Sequence, residues 1–173
     1  MTNVNHPSRE STPSHRQRNN RSSTAPTSTN SSKMDTISSS TDGYVLRFVN
    51  EDLENQAFTL SKYYSGIIRN WVRGIPLLFA MKSGEGDSLV GYAVVDKIEN
   101  LWEMPPEEET YAREHGWKIA LTLRGATRFK TPLLIKNSAL GSDSRRGAFL
   151  HGAKLTEHQI GTLLDQAKEA QEA

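Results

Sequence analysis

The 173-residue chain contains no cysteine. Disulfide staples, thiolate zinc sites and cysteine nucleophiles are therefore excluded. No apolar run approaches the roughly 18 residues that a membrane-spanning helix needs, and the N-terminal region lacks the apolar stretch of a secretory signal. A cytoplasmic protein without membrane association is the expectation. Residues 1–42 also lack every aromatic residue, and beyond Val4 and Ile37 they hold almost nothing aliphatic. They are Arg- and Ser-rich, as transit peptides are, but have no apolar residues for an amphipathic helix. Histidines are few: His6 and His15 lie in this tail, and His115, His151 and His158 show no ligand spacing, so no metal or other cofactor is expected. Gly84 and Gly86 lack the Lys and the strand-turn-helix setting of a phosphate loop. No Ser-His-Asp arrangement is recognisable, and an enzyme is not expected.

What fills residues 1–42 is 18 Ser or Thr. Such a segment cannot bury enough apolar surface to offset its ordering entropy, so a disordered tail is expected at 1–42 and one domain at 43–173. Met34 stands inside the tail as a second possible start of translation. The net charge of +1 conceals segregation. Residues 85–109 carry eight acids against Lys97 alone; residues 113–154 carry nine bases against Glu114 and Asp143. A basic half is compatible with a polyanion-binding face, and equally with a solvated surface.

Residues 44–49 alternate as a strand, with Tyr44, Leu46 and Phe48 on one face. The spacing of Leu60, Tyr64, Ile67, Ile68 and Trp71 predicts a helix over 60–71, ended by Gly74 and Pro76. Strands follow at 75–82 and 88–98, joined as a hairpin through residues 83–87. Pro105 and Pro106 before Glu107, Glu108 and Glu109 open a short helix that Gly116 stops. Residues 117–124 form a strand with Trp117, Ile119, Leu121 and Leu123 facing in. A further short strand near 127–130 and an apolar run at 133–135 precede a polar loop at 138–147. Thr156 and Gln159 make a capping box for the last helix, with Leu155 and Ile160 as its staple. This order predicts an α+β fold with a mainly antiparallel, barrel-like sheet of five or six strands and helices closing its ends.

Four segments add a resemblance. Tyr44-Val45-Leu46-Arg47-Phe48-Val49, the run from Gly86 to Val95, Trp117-Lys118-Ile119-Ala120-Leu121 with Thr131-Pro132-Leu133, and Gly152-Ala153-Lys154-Leu155-Thr156-Glu157 occur in the order of an EVE domain. The chain resembles the PUA-like superfamily, nearest its EVE branch, over about residues 43–171. Position 45 is Val where the family typically has Trp, and Val49-Asn50-Glu51 stands where Ser-Glu-Pro is usual. The Gly-x-Lys-x-x-Glu signature of the related ASCH domains is not evident. The resemblance implies a PUA-like β-barrel that binds RNA or DNA and recognises a modified base in an aromatic pocket. Alternatives are a hydrolase acting on a modified nucleoside and a protein-interaction module using the acidic stretch 99–109.

A flipped base needs aromatic faces and a few polar groups, and its phosphates need cations. Trp71 beside Arg69 and Arg73, with Asn50 after the first strand, forms the candidate pocket; the other reading of Trp71 is the buried stripe of a helix. Trp117 is read as core and Trp102 as packing. Arg124, Arg128, Arg145 and Arg146, together with Lys130, are the candidate phosphate contacts, with Arg145 and Arg146 favoured because binding residues often sit on loops.

Overall fold

The computed structural model describes residues 42–172. The tail read at 1–42 and the second methionine at 34 fall outside the described residues, apart from Asp42. Six strands and three α-helices follow in the order β1 (Gly43–Phe48), α1 (Glu51–Thr59), β2 (Lys62–Ser65), β3 (Pro76–Ser83), β4 (Gly86–Asn100), α2 (Pro106–Glu114), β5 (Ile119–Leu134), β6 (Ala153–Leu155) and α3 (Glu157–Glu172). They build one mixed sheet in the order β2-β5-β4-β3-β1-β6. Every pairing is antiparallel except β1 with β3.

The sheet curls into a half-barrel that stays open, which corrects the barrel expected from the sequence. The edge strands are the reason. β2 has four residues and pairs only with β5; β6 has three and pairs only with β1. The curl has a visible cause in the long β4–β5 ladder, whose register shifts three times. Each extra residue in such a ladder bends the strand and increases its twist. The segments read separately at 117–124, 127–130 and 133–135 prove to be mainly this one irregular strand, with Gly125 at φ 61° inside it.

Alternation along the strands sends side chains into two large cores, beside a smaller cluster of Tyr64, Met104, Ala112 and Ala120 under α2. Tyr44, Leu46, Phe48, Leu77 and Phe79 share one face with Ala57 of α1. Val45, Leu78 and Ala80 share the other with Ile160, Leu163 and Ala167 of α3. The helices thus cover the faces of the sheet, rather than closing the ends of a barrel. Phe58 of α1 sits so close to β4 that a Cβ at Gly91 would lie 2.4 Å from its ring, so only glycine fits there.

The helix expected at 60–71 lies elsewhere. α1 begins after Asn50, whose side chain accepts the Leu53 N–H at 3.0 Å. It ends at Leu60, and Ser61 turns the chain at φ 52°. Lys62–Ser65 is then strand β2, rich in the aromatic residues that strands favour. Residues 66–74 make no regular element. The capping box of α3 is present: Gln159 N–H donates to Thr156 Oγ1 at 3.2 Å, and Thr156 N–H donates to Gln159 Oε1 at 3.0 Å. Thr156→Ala is expected to cost about 1 kcal/mol, read as a lower urea midpoint with unchanged slope. An unaltered midpoint would show that the cap carries no stability.

Candidate functional site

Where β1 gives way to α1, an open groove faces the end of α2. It has two connected parts that share Asp52, Leu53 and Tyr111. One, of about 370 Å³, is lined by Val49, Asn50, Asp52, Leu53, Tyr111, His115 and Trp117. The other, of about 400 Å³, continues along α1 past Asn55, Gln56, Thr59 and Leu60. One wall is aromatic. Trp117 stacks in parallel on Tyr64 at 5.0 Å and on His115 at 4.6 Å, and Tyr111 meets Trp117 edge-on at 5.4 Å. The opposite wall, α1, offers amides and the Asp52 carboxylate.

Local sequence explains this arrangement. Asn50 caps α1 with its side-chain oxygen, which leaves its amide N–H groups without a partner among the described residues. Pro106 at the start of α2 and Gly116 at φ 71° after it fix how far that helix reaches, which sets Tyr111 and His115 beside Trp117. His115 is further held by its Nδ1 contact with the Tyr111 carbonyl at 2.8 Å.

Beneath the aromatic wall lies an ion network. The Tyr64 hydroxyl donates to Glu108 Oε1 at 2.8 Å, Lys62 contacts the same carboxylate, and Glu99 Oε2 stands 3.7 Å from Lys62. Burial pushes the Glu108 carboxyl up, but hydrogen bonds from Lys62 and Tyr64 outweigh it and leave the group below its ordinary range. The Tyr64 phenol moves up, through burial first and then its bond to Glu108. Both groups therefore keep their charge states at neutral pH and brace Tyr64 behind Trp117.

No family model and no curated protein sequence matches the chain. A solved structure is similar in fold. The crystal structure of ASCH from Zymomonas mobilis aligns with a TM-score of 0.51 at 11% sequence identity, over 70% of this chain and 92% of that one. At that identity the likeness concerns the fold alone.

The sequence-predicted site residues separate in space. Asn50 lines the groove. Trp71 packs edge-on against Tyr44 at 5.2 Å in the first core, with its indole N–H buried and unpartnered, and it lines neither part of the groove. Arg73 pairs with Asp96 at 3.0 Å. Arg69 reaches across to the Gly152 carbonyl at 3.2 Å. Arg128 lies over the Phe58 ring, pairs with Glu54 at 3.1 Å and donates to Asn55 at 2.9 Å, so it touches a groove residue from behind. Arg124 is exposed and makes no ion pair among the described residues. Arg145 is committed to Asp143, whose carboxyl it holds down at about 2, and Arg146 donates to the carbonyls of Leu140, Gly141, Asp143 and Arg145. These two arginines clamp their own loop.

His151 is the other strongly placed titratable group. The Arg47 backbone N–H donates to its Nδ1 at 3.0 Å. Burial first, then the charges of Arg69 and Arg47, hold its imidazole below the usual 6.5. A base with a lowered folded-state pKa binds protons better when unfolded, so its contribution is complete above 6.5 and is lost as pH falls below it. The melting temperature is expected to decline between pH 7.5 and 5.5, and His151→Gln is expected to flatten that decline. Identical slopes in the two proteins would refute the assignment.

Proposed function

We propose that this domain is a non-catalytic binding module for single-stranded RNA or DNA, of the EVE type within the PUA-like fold, and that it seats one base in the groove between α1 and α2, with a modified base as the preferred occupant. The observation that carries the reading is the pairing of one aromatic wall, Tyr111, His115 and Trp117, with one hydrogen-bonding wall, Asn50, Asn55 and Gln56. A base needs a ring face for stacking and donors and acceptors for its edge. The volume falls in the range of about 300–1,000 Å³ usual for small-ligand sites. The EVE assignment adds the four sequence segments described above.

Charge refines the reading. No Lys or Arg lines the groove, whereas Asp52 does, and Glu51 and Glu54 flank it on α1. The groove suits the neutral base, and the phosphates must lie outside it.

The test is a titration of labelled single-stranded RNA and DNA at several salt concentrations, with free nucleosides as competitors. Log K is expected to fall linearly with log salt, because each neutralised phosphate releases counterions. A nucleoside that fills the groove should compete, and one modified form should compete best. Absence of binding to every nucleic acid at low salt would leave the interaction-module reading in its place.

A further inference from the structure

The phosphates that the groove repels need cations whose charge is not already spent, and few of the conspicuous ones qualify. Arg145 is neutralised by Asp143, Arg73 by Asp96, Arg128 by Glu54 and Arg47 by Asp87. Arg69, Arg124 and Arg146 are exposed and form no ion pair among the described residues; Arg146 spends its donors on four loop carbonyls, whereas the bonds of Arg69 are to two, Gly152 at 3.2 Å and Ile68 at 3.0 Å. Those bonds position the side chain without cancelling its charge.

Next to Gly152 is His151. Its Nδ1 accepts from the Arg47 backbone, so the neutral ring carries its proton on Nε2. That N–H finds no acceptor among the described residues, yet it is not a buried orphan: Trp71 Nε1 is the one such side-chain atom there. The His151 donor is therefore not fully buried, and it stands in the field of Arg69. Two donors, one of them a full uncompensated cation, stand on adjoining segments. Gly152 makes this possible. It sits at φ +76°, and a Cβ there would lie 2.8 Å from the Arg69 guanidinium, so any other residue would displace it.

We propose that Arg69 and His151 form a phosphate-binding site at the β1–β6 edge, which holds the backbone of a strand whose base enters the groove. Arg47, whose backbone N–H orients His151, stands in β1 two residues before Val49, which lines the groove. Phe149, two residues before His151 in sequence and 81% exposed, offers a ring for a neighbouring base. The site itself stands on Arg69 and His151; only the identity of the phosphate's bearer rests on the nucleic-acid reading.

The experiment follows His151 and Arg69 side-chain resonances by nuclear magnetic resonance during titration with inorganic phosphate, with sodium chloride at matched ionic strength, and with a single-stranded oligonucleotide. Phosphate is expected to move both sets saturably and chloride is not. Arg69→Gln, a surface change that leaves both cores intact, is expected to weaken phosphate binding about tenfold or more. Phe149→Ala should leave inorganic phosphate binding unchanged and weaken the oligonucleotide by roughly fivefold or more. Equal responses to chloride and phosphate, or unaltered phosphate binding by Arg69→Gln, would overturn the site. Phosphate binding with no response to any oligonucleotide would support the site, assign it to free phosphate, and remove the nucleic-acid reading instead.

Discussion

Phe79→Ala is expected to destabilise the domain by about 3–5 kcal/mol, the usual cost of a large cavity in a packed core. Phe79 is fully buried in β3, between β1 and β4. It stacks on Phe48 at 4.9 Å and meets Phe58 and Tyr63 at 5.7 and 5.8 Å, so it joins strands β1 and β2, helix α1 and its own strand in one aromatic cluster. Since domains are stable by only about 5–15 kcal/mol, the loss should be visible as a fall of the urea midpoint. Phe149→Ala serves as the control, because a side chain 81% exposed has almost no burial to lose. A Phe79→Ala cost below about 1 kcal/mol would mean that the first core is not packed as described.

Tyr111→Ala is expected to have the largest effect on binding, about 1–3 kcal/mol, or roughly 5-fold to 150-fold in affinity. Tyr111 is shared by both parts of the groove, and no other aromatic residue is. At 40% exposure it has ring surface to offer a ligand. Its hydroxyl makes no hydrogen bond among the described residues, so Tyr111→Phe should bind like the parent if the ring face is what matters. Loss of binding in the phenylalanine variant would shift the role to the hydroxyl. Trp117 is a poorer first target, because its stacking on Tyr64 couples it to the ion network of Lys62 and Glu108. The salt slope should be the same in the Tyr111 variant as in the parent, since no phosphate contact is removed.

The fold was most legible where local chemistry and global placement agree. β1, the β3–β4 hairpin, α2 and the α3 cap all follow from alternation, turn residues and capping patterns that the structure retains. The helix at 60–71 failed because five apolar residues happened to fall at helical spacing. Two of the positions in question belong to a strand edge and an irregular segment instead: Tyr64 pairs with Ala120, and Trp71 inserts into the core from a loop. The real helix was legible from Asn50-Glu51-Asp52-Leu53, a capping residue followed by acids in the first turn, but its apolar stripe of Leu53, Ala57 and Phe58 is short. The open sheet was not legible, since nothing in a three-residue strand such as β6 announces which edge it will join.

The site was legible only in kind. An aromatic wall beside polar groups was anticipated, and Asn50 belongs to it, but the ring expected there was Trp71. Tyr111, His115 and Trp117 are brought to Asn50 from some sixty residues away by the crossing of α2 over β2 and β5, which is tertiary information. The arginines show the same limit. Sequence displays a cation but not its partner, and Arg145 and Arg146 turn inward to Asp143 and to loop carbonyls. Arg69 bonds the carbonyls of Gly152 and Ile68 and forms no ion pair among the described residues.

A base bound to this domain is expected to occupy the α1–α2 groove. The most direct test is to titrate the protein with a short single-stranded oligonucleotide at low salt and to map the perturbed resonances onto the structure. Saturable shifts are expected at the Trp117 indole, the Tyr111 ring and the Asn50 side-chain amide, with Trp102 unmoved. Shifts confined to surface lysines and arginines, with Tyr111, Trp117 and Asn50 silent at saturation, would contradict it.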